Sequence, residues 1–413
     1  MFAEGVSEEE RLEGLVFKFE DWHAIRNLFE IYHHIFFKEA SAKDHSTLLA
    51  NMNLLRCSNA KKGPHKAYNA YKQFVQIDTT ALFLAAAMEH FQLGDVTDTT
   101  DRVVPDHVRQ GTEEQRRTWL HDSMAEVADK FLTFTNTFDL SAAVTDAAQR
   151  TGKEKLPCRQ PGCPRVYVNK KSRETHEQKV HHLVVAPVPP AKPASASLMD
   201  YKKQHAEARL YFGFLILDML DAVKEGDGER LIRLYKVALL IYKAYGHTKY
   251  AYSTLLLTVQ LNSTLSPRIA HDIMWNRFWN SKGGKGMNIP LDLHLEHLNN
   301  FLKSYLRNKG SNLTEDTATR VSKSVGVLKT MMDKADRELQ LSRPSGTHLA
   351  ADVHRDVLTL LEVFRKTEVF KEQPGRHFSA FPVFNSNILS KLDWEVLYQW
   401  MRAKLKEWRS LAL

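Results

Sequence analysis

The sequence predicts a mainly α, multi-helical protein with a small zinc-binding ββα unit set into it. Three observations carry this. Apolar residues recur at helical spacing through most of residues 199–413. Cysteines and histidines between 158 and 182 fall at the spacing of a Cys₂His₂ metal site. Only one short stretch, LVFKF at 15–19, alternates in the manner of a strand.

Residues 1–150 form a mostly helical N-terminal region. In LVFKF, Leu15, Phe17 and Phe19 fall on one side and Val16 and Lys18 on the other, a short strand pattern whose polar alternation Val16 breaks. Glu20-Asp21-Trp22-His23 follows, and then Ile25, Phe29, Tyr32 and Phe36 mark a helical face. A carboxylate at a strand-to-helix junction suits metal-dependent chemistry or a helix cap, and the local reading is the cap. His33 and His34 lie on an aromatic-rich helix, where packing or solvation is the expectation. Cys57 has no partner at a fixed spacing and is expected to be inert.

Residues 156–182 predict a Cys₂His₂ zinc finger. The pattern is Cys158-x4-Cys163-x12-His176-x4-His181, with His182 as an alternative fourth ligand. Two thiolates and two imidazoles close a tetrahedron around an ion that has no geometric preference of its own. Tyr167 takes the aromatic core position. So small a segment holds no core without metal, so zinc binding and folding are coupled. Arg165, Lys170, Lys171, Arg173 and Lys179 make the unit basic and are the candidate phosphate contacts. One finger reads only about three base pairs, so a structural or protein-binding role stands beside the nucleic-acid one. LVVAPVPPAKPASASL, 183–198, reads as an extended Pro/Ala linker.

Residues 199–413 read as a helical C-terminal domain. A stripe through Leu210, Phe214 and Leu217 ends at Gly226-Asp227-Gly228, and the next helix stops at Gly246. Pro267 sits in a first turn. Thr314 caps a helix over 314–340, with Glu315 and Asp316 at its positive end. Helices are expected over 352–371 and 390–412, separated by the loop EQPGRHFSAFPVFN. WNRFWN at 275–280 predicts core packing. KGGKG at 282–286 lacks the Gly-Lys-Ser/Thr ending of a phosphate loop and reads as a surface loop.

NIPLDLHLEHLNNFLKSYLRNKGSN, 288–312, gathers Asp292, His294, Glu296 and His297. Asn288 is the expected cap, Pro290 fits the first turn, and Gly310 is the stop. Leu291, Leu295, Leu298, Leu302 and Leu306 predict a buried stripe. Asp292 and Glu296 lie on one flank and His294 and His297 on another, so the helix holds no metal by itself. One carboxylate from it can still join ligands from elsewhere.

Length and composition frame these elements. The 413 residues exceed one typical domain. The net charge of +8 and pI near 9.1 suit a nucleic-acid partner. Three sparse cysteines argue for a reducing compartment and against a disulfide scaffold. In such a compartment the sequons at Asn262 and Asn312 carry no meaning. The acidic start is not a signal peptide, and no apolar run reaches a membrane span.

The blocks HTKYA, LSPRIAH, WNR, NIPLDLHLEHLN and GSNLTE, with EDWHAIRN upstream and EQPGRHFSAFPVFNSNILSKLD downstream, resemble those of the domain of unknown function 6589 family. This is an uncharacterised, transposon-derived-looking eukaryotic family whose members often carry a Cys₂His₂ segment at this position. The resemblance covers most of the chain. It implies an RNase H-like transposase core in which Asp21 and Glu296 are two of three carboxylates around a pair of Mg²⁺ or Mn²⁺ ions. The family's earlier acidic residue has no counterpart among Glu4, Glu8, Glu9, Glu10 and Glu13, which lie in no strand pattern. The expectation is therefore a truncated or domesticated, nuclear, zinc-binding relative that binds DNA or a protein partner and lacks intact catalysis. The alternatives are an active metal-dependent nuclease or transposase and a helical interaction scaffold.

Overall fold

The computed structural model describes residues 19–95, 98, 104–132, 156–167, 170–182, 199–280, 283–308, 310, 313–339 and 353–411. Residues 15–18 of the expected strand and the 183–198 linker lie outside them. The fold is mainly helical, as expected. In chain order it runs α1 (Asp21–Phe36), α2 (Leu48–Leu54), α3 (Gly63–Lys66), α4 (Tyr68–Phe91), α5 (Asp106–Arg109) and α6 (Glu113–Leu132). Then come β1 (Leu156–Pro157), β2 (Val166–Tyr167), α7 (Lys170–His181), α8 (Tyr201–Glu225), α9 (Gly228–Ala244), α10 (Thr248–Val259) and α11 (Pro267–Trp275). The chain continues with β3 (Phe278–Trp279), β4 (Ile289–Pro290), α12 (Leu291–Arg307), α13 (Glu315–Glu338), α14 (Val353–Lys366) and α15 (Trp394–Leu411). Each strand pair is antiparallel, Leu156 opposite Tyr167 and Phe278 opposite Pro290.

The apolar stripes of α1, α4, α8 and α9 meet in one core. Phe29 and Tyr32 of α1, Tyr71 of α4, Phe212 and Ile216 of α8, and Tyr235 and Tyr242 of α9 are all buried there. Burying such a side chain contributes about 1.5–3 kcal/mol. The N-terminal helices and those beyond residue 199 thus share a core across the sequence that separates them. A second cluster joins α4, α6 and α14 through Leu82, Phe131 and Phe364. α4 and α8 cross closely at Gly213, where a Cβ would stand 2.2 Å from Thr79 Oγ1.

Two expectations for α12 need correction. Asn288 does not cap it: its side-chain amide donates to the Lys224 carbonyl, because Ile289 and Pro290 are held as a strand against β3. The leucine stripe is not buried either. Among the described residues α12 and α13 contain none that is fully buried, and Leu295 is 52% exposed. The two helices pack as a hairpin, and two amphipathic helices are too thin a layer to enclose a stripe.

The expected 372–385 loop is ordered around His205 of α8. The ring is fully buried among Phe36, Phe378, Phe381 and Phe384, with centroids 4.7–5.4 Å away. Burial, then the charges of Arg209 and Lys38, push its pKa well below the ordinary histidine value. The unfolded chain therefore takes up a proton that native His205 refuses, and stability is lost as pH falls below about 6.5. The loss of wild-type stability between pH 7.5 and 5.5, read from urea midpoints, should exceed that of His205→Phe by up to about 1.4 kcal/mol. Equal losses would show that His205 does not set the slope.

Candidate functional site

In the ββα unit, the β1–β2 hairpin presents Cys158 and Cys163, with Gly162 in the left-handed turn conformation at φ +82°. α7 brings His176 and His181 up beneath them. Ligand atoms of all four lie within 4.8 Å of one another. His176 Nε2 is 3.5 Å from Cys163 Sγ and 3.0 Å from His181 Nε2. The geometry selects His181 over His182, which has left the helix at φ +50°. Burial lowers the pKa of His176, which keeps its imidazole in the neutral, ligand-competent form. Tyr167 lies against His176, ring centroids 5.1 Å apart.

The basic residues of this unit divide. Arg165 and Lys179 are exposed, and Lys170 and Lys171 open α7. Arg173 turns inward to the fully enclosed Glu177, its Nε 3.7 Å from the carboxylate. Arg159 adds a backbone N–H at 2.8 Å and guanidinium contacts down to 2.6 Å. Hydrogen bonds from the Arg159 side chain hold the Glu177 carboxyl down at about 2. An ion-paired cluster thus occupies this side of α7.

The second assembly forms where three distant blocks meet: Glu20–His23, Arg277 and Asp292. Asp21 is buried, and both carboxylate oxygens are taken. Arg277 Nε donates to Oδ2 at 2.9 Å, Arg277 Nη2 and the Tyr235 hydroxyl donate to Oδ1, the latter at 2.6 Å, and Nη2 also reaches the Phe19 carbonyl at 3.1 Å. The local reading expected a carboxylate at this junction to cap α1, but neither Asp21 nor Glu20, which holds the N-cap position, does so with its side chain. Asp292, from the first turn of α12, supplies the cap. Its oxygens accept the N–H of Trp22 at 3.0 and 3.1 Å and that of His23 at 3.2 Å. A carboxylate on the positive end of α1 contributes about 0.5–2 kcal/mol.

Asp292 also faces the His23 ring. Its Oδ2 lies 3.1 Å from His23 Nδ1, and Glu20 Oε2 lies 3.2 Å from the same nitrogen. The other carboxylate candidate, Glu296, is half-buried one turn further along α12. His294 stacks on Trp279 at 4.2 Å. Among the described residues, the groups of His, Cys, Asp and Glu close enough to share an ion are Cys158–Cys163–His176–His181 and Glu20–His23–Asp292; neither includes Asp21 or Glu296. Sequence reasoning singled out the first group. It passed over Glu20 and His23, although both stand in EDWH, whose likeness to a family block was the available signal.

The family of unknown function (DUF6589) matches residues 2–348. No curated protein and no solved structure matches the chain.

Proposed function

The chain belongs to the DUF6589 family, and since that description names no activity, we propose, from the block resemblance and from its own residues, that this is a transposon-derived zinc-finger protein acting in the nucleus by binding DNA, without strand cleavage through Asp21 and Glu296. The observation that supports it best is the convergence of Cys158, Cys163, His176 and His181 within 4.8 Å. Tetrahedral zinc with bonds of about 2.0–2.3 Å sets its ligands about 3.3–3.8 Å apart; the 3.5 Å between Cys163 Sγ and His176 Nε2 falls in that range, and the 3.0 Å between the two imidazole nitrogens lies just below it. Four protein ligands leave no open position, so the ion is structural. It holds α7 against the hairpin, where Arg165 and Lys179 stand exposed to meet phosphates. Against catalysis stands the state of Asp21. A buried carboxylate whose charge is already matched by the Arg277 guanidinium, and which also accepts the Tyr235 hydroxyl, would have to give up that ion pair to hold a metal pair.

Two measurements test this reading. Purified protein should carry one zinc per chain. Duplex DNA affinity should fall with rising salt, and Arg165→Ala with Lys179→Ala should reduce the log–log slope by about 2. Absent or salt-independent binding would remove the nucleic-acid role. It would favour the second reading, a protein partner, for which one observation speaks: the α12–α13 hairpin leaves Leu295, Val327 and Met331 exposed.

A further inference from the structure

Beyond the zinc cluster, the geometry points to a second metal site: Glu20, His23 and Asp292 form an open binding site for one divalent cation of the manganese type. The three donor atoms lie within 4.8 Å of one another, with His23 Nδ1 3.2 Å from Glu20 Oε2 and 3.1 Å from Asp292 Oδ2. Ligands bound at about 2.1 Å and at right angles are about 3.0 Å apart, so both separations match neighbouring corners of one coordination sphere.

Hydrogen bonding alone explains this arrangement poorly. A ring Nδ1 carries at most one hydrogen, which Asp292 can accept, and the Glu20 carboxylate stands 3.2 Å from the same nitrogen without a hydrogen bond to it. Glu20 occupies the N-cap position of α1 but makes no cap bond, because Asp292 has taken that task from the other side. The Glu20 side chain is thereby left for His23. Two carboxylates and a neutral imidazole carry the −2 that balances a divalent ion. One nitrogen and two oxygens form a harder set than the thiolates of the ββα unit and so accept manganese; zinc binds such a set more tightly, so manganese takes it where zinc is held by the ββα unit.

The site is also built and accessible. Asp292 is fixed by two α1 backbone N–H groups, that of Trp22 shared between its oxygens and that of His23, and Arg277, the nearest buried cation of this junction, is already paired with Asp21. Side-chain exposure rises from 11% at Asp292 to 27% at His23 and 61% at Glu20, so one side opens to solvent. Three protein ligands leave coordination positions there for water or for an anionic oxygen. The positive end of α1 and the Arg26 guanidinium, which lies over Trp22, oppose the cation and limit its affinity.

The test uses the full chain with one zinc equivalent already bound. Mn²⁺ is titrated in, with free ion followed by electron paramagnetic resonance and the His23 ring signals by nuclear magnetic resonance. One Mn²⁺ should bind per chain and broaden the His23 signals. Affinity should fall at least about 10-fold in Glu20→Gln and in His23→Ala. Cys163→Ser, prepared free of zinc, should leave it unchanged, so failure here is distinguishable from failure of the zinc reading. Glu20→Gln is the decisive variant, because Glu20 is exposed and caps nothing. No bound Mn²⁺ at millimolar concentration, or affinity indifferent to Glu20→Gln, would show that the three residues are only an ion-paired cap.

Discussion

Stripping zinc from the chain, or replacing Cys163 with serine, should unfold residues 156–182 and leave the helical body at its full stability. The segment has almost nothing else to fold it. Its buried residues among those described are Cys158, His176 and Glu177, two of them members of the proposed zinc cluster and the third ion-paired. Arg173 turns its side chain to Glu177 and adds no apolar surface to the core. Among the described residues, none of this segment belongs to the three hydrophobic clusters. Binding a structural zinc supplies about 10–16 kcal/mol in peptides of this kind, far more than β1, β2 and α7 supply by themselves. Amide exchange should therefore rise to the unprotected rate across α7 on chelation while α1, α4, α8 and α9 keep their protection. Protection that persists in α7 without metal would mean that the fold of this unit does not depend on zinc, and the zinc reading would fall with it.

The helices and the Cys/His spacing were legible because their signals are local. A 3.6-residue period or a ligand pattern within 24 residues is written into consecutive sequence, and Thr314 indeed accepts the N–H of Thr317 as a cap should. The Asp21 junction was not legible. Arg277 lies 256 residues from Asp21 and Asp292 lies 270 from Trp22, and no local pattern carries such a pairing. WNRFW misled in particular. Its tryptophans suggested a core segment, yet Trp275 and Trp279 are 37% and 42% exposed while Arg277 is 1% exposed. On α12 the flank was right and the turn was not. Asp292 and Glu296 share a flank, but Glu296 sits about 6 Å further along the helix axis, and it is the first turn that meets α1.

Arg277→Leu should be among the most damaging single substitutions in the chain, costing about 3–5 kcal/mol. It leaves the Asp21 carboxylate buried with the Tyr235 hydroxyl as its remaining side-chain partner, and it releases the Phe19 carbonyl. Asp21→Asn should cost a similar amount for the converse reason, since a guanidinium then stays buried without its counter-charge. The double variant should not cost the sum. With both charges gone the desolvation penalty is gone too, and the two effects should couple by about 2–3 kcal/mol in a urea-unfolding cycle. The same cycle separates a structural carboxylate from a catalytic one. If Asp21 held a metal ion and Arg277 merely masked it, Arg277→Leu would strengthen Mg²⁺ or Mn²⁺ binding and restore strand nicking. Under the pairing seen here the substitution lowers stability, and it loosens the start of α1 on which Glu20 and His23 stand. Mn²⁺ affinity should therefore fall together with stability. A rise in affinity would return Asp21 to the catalytic role that its place in the EDWH block suggests.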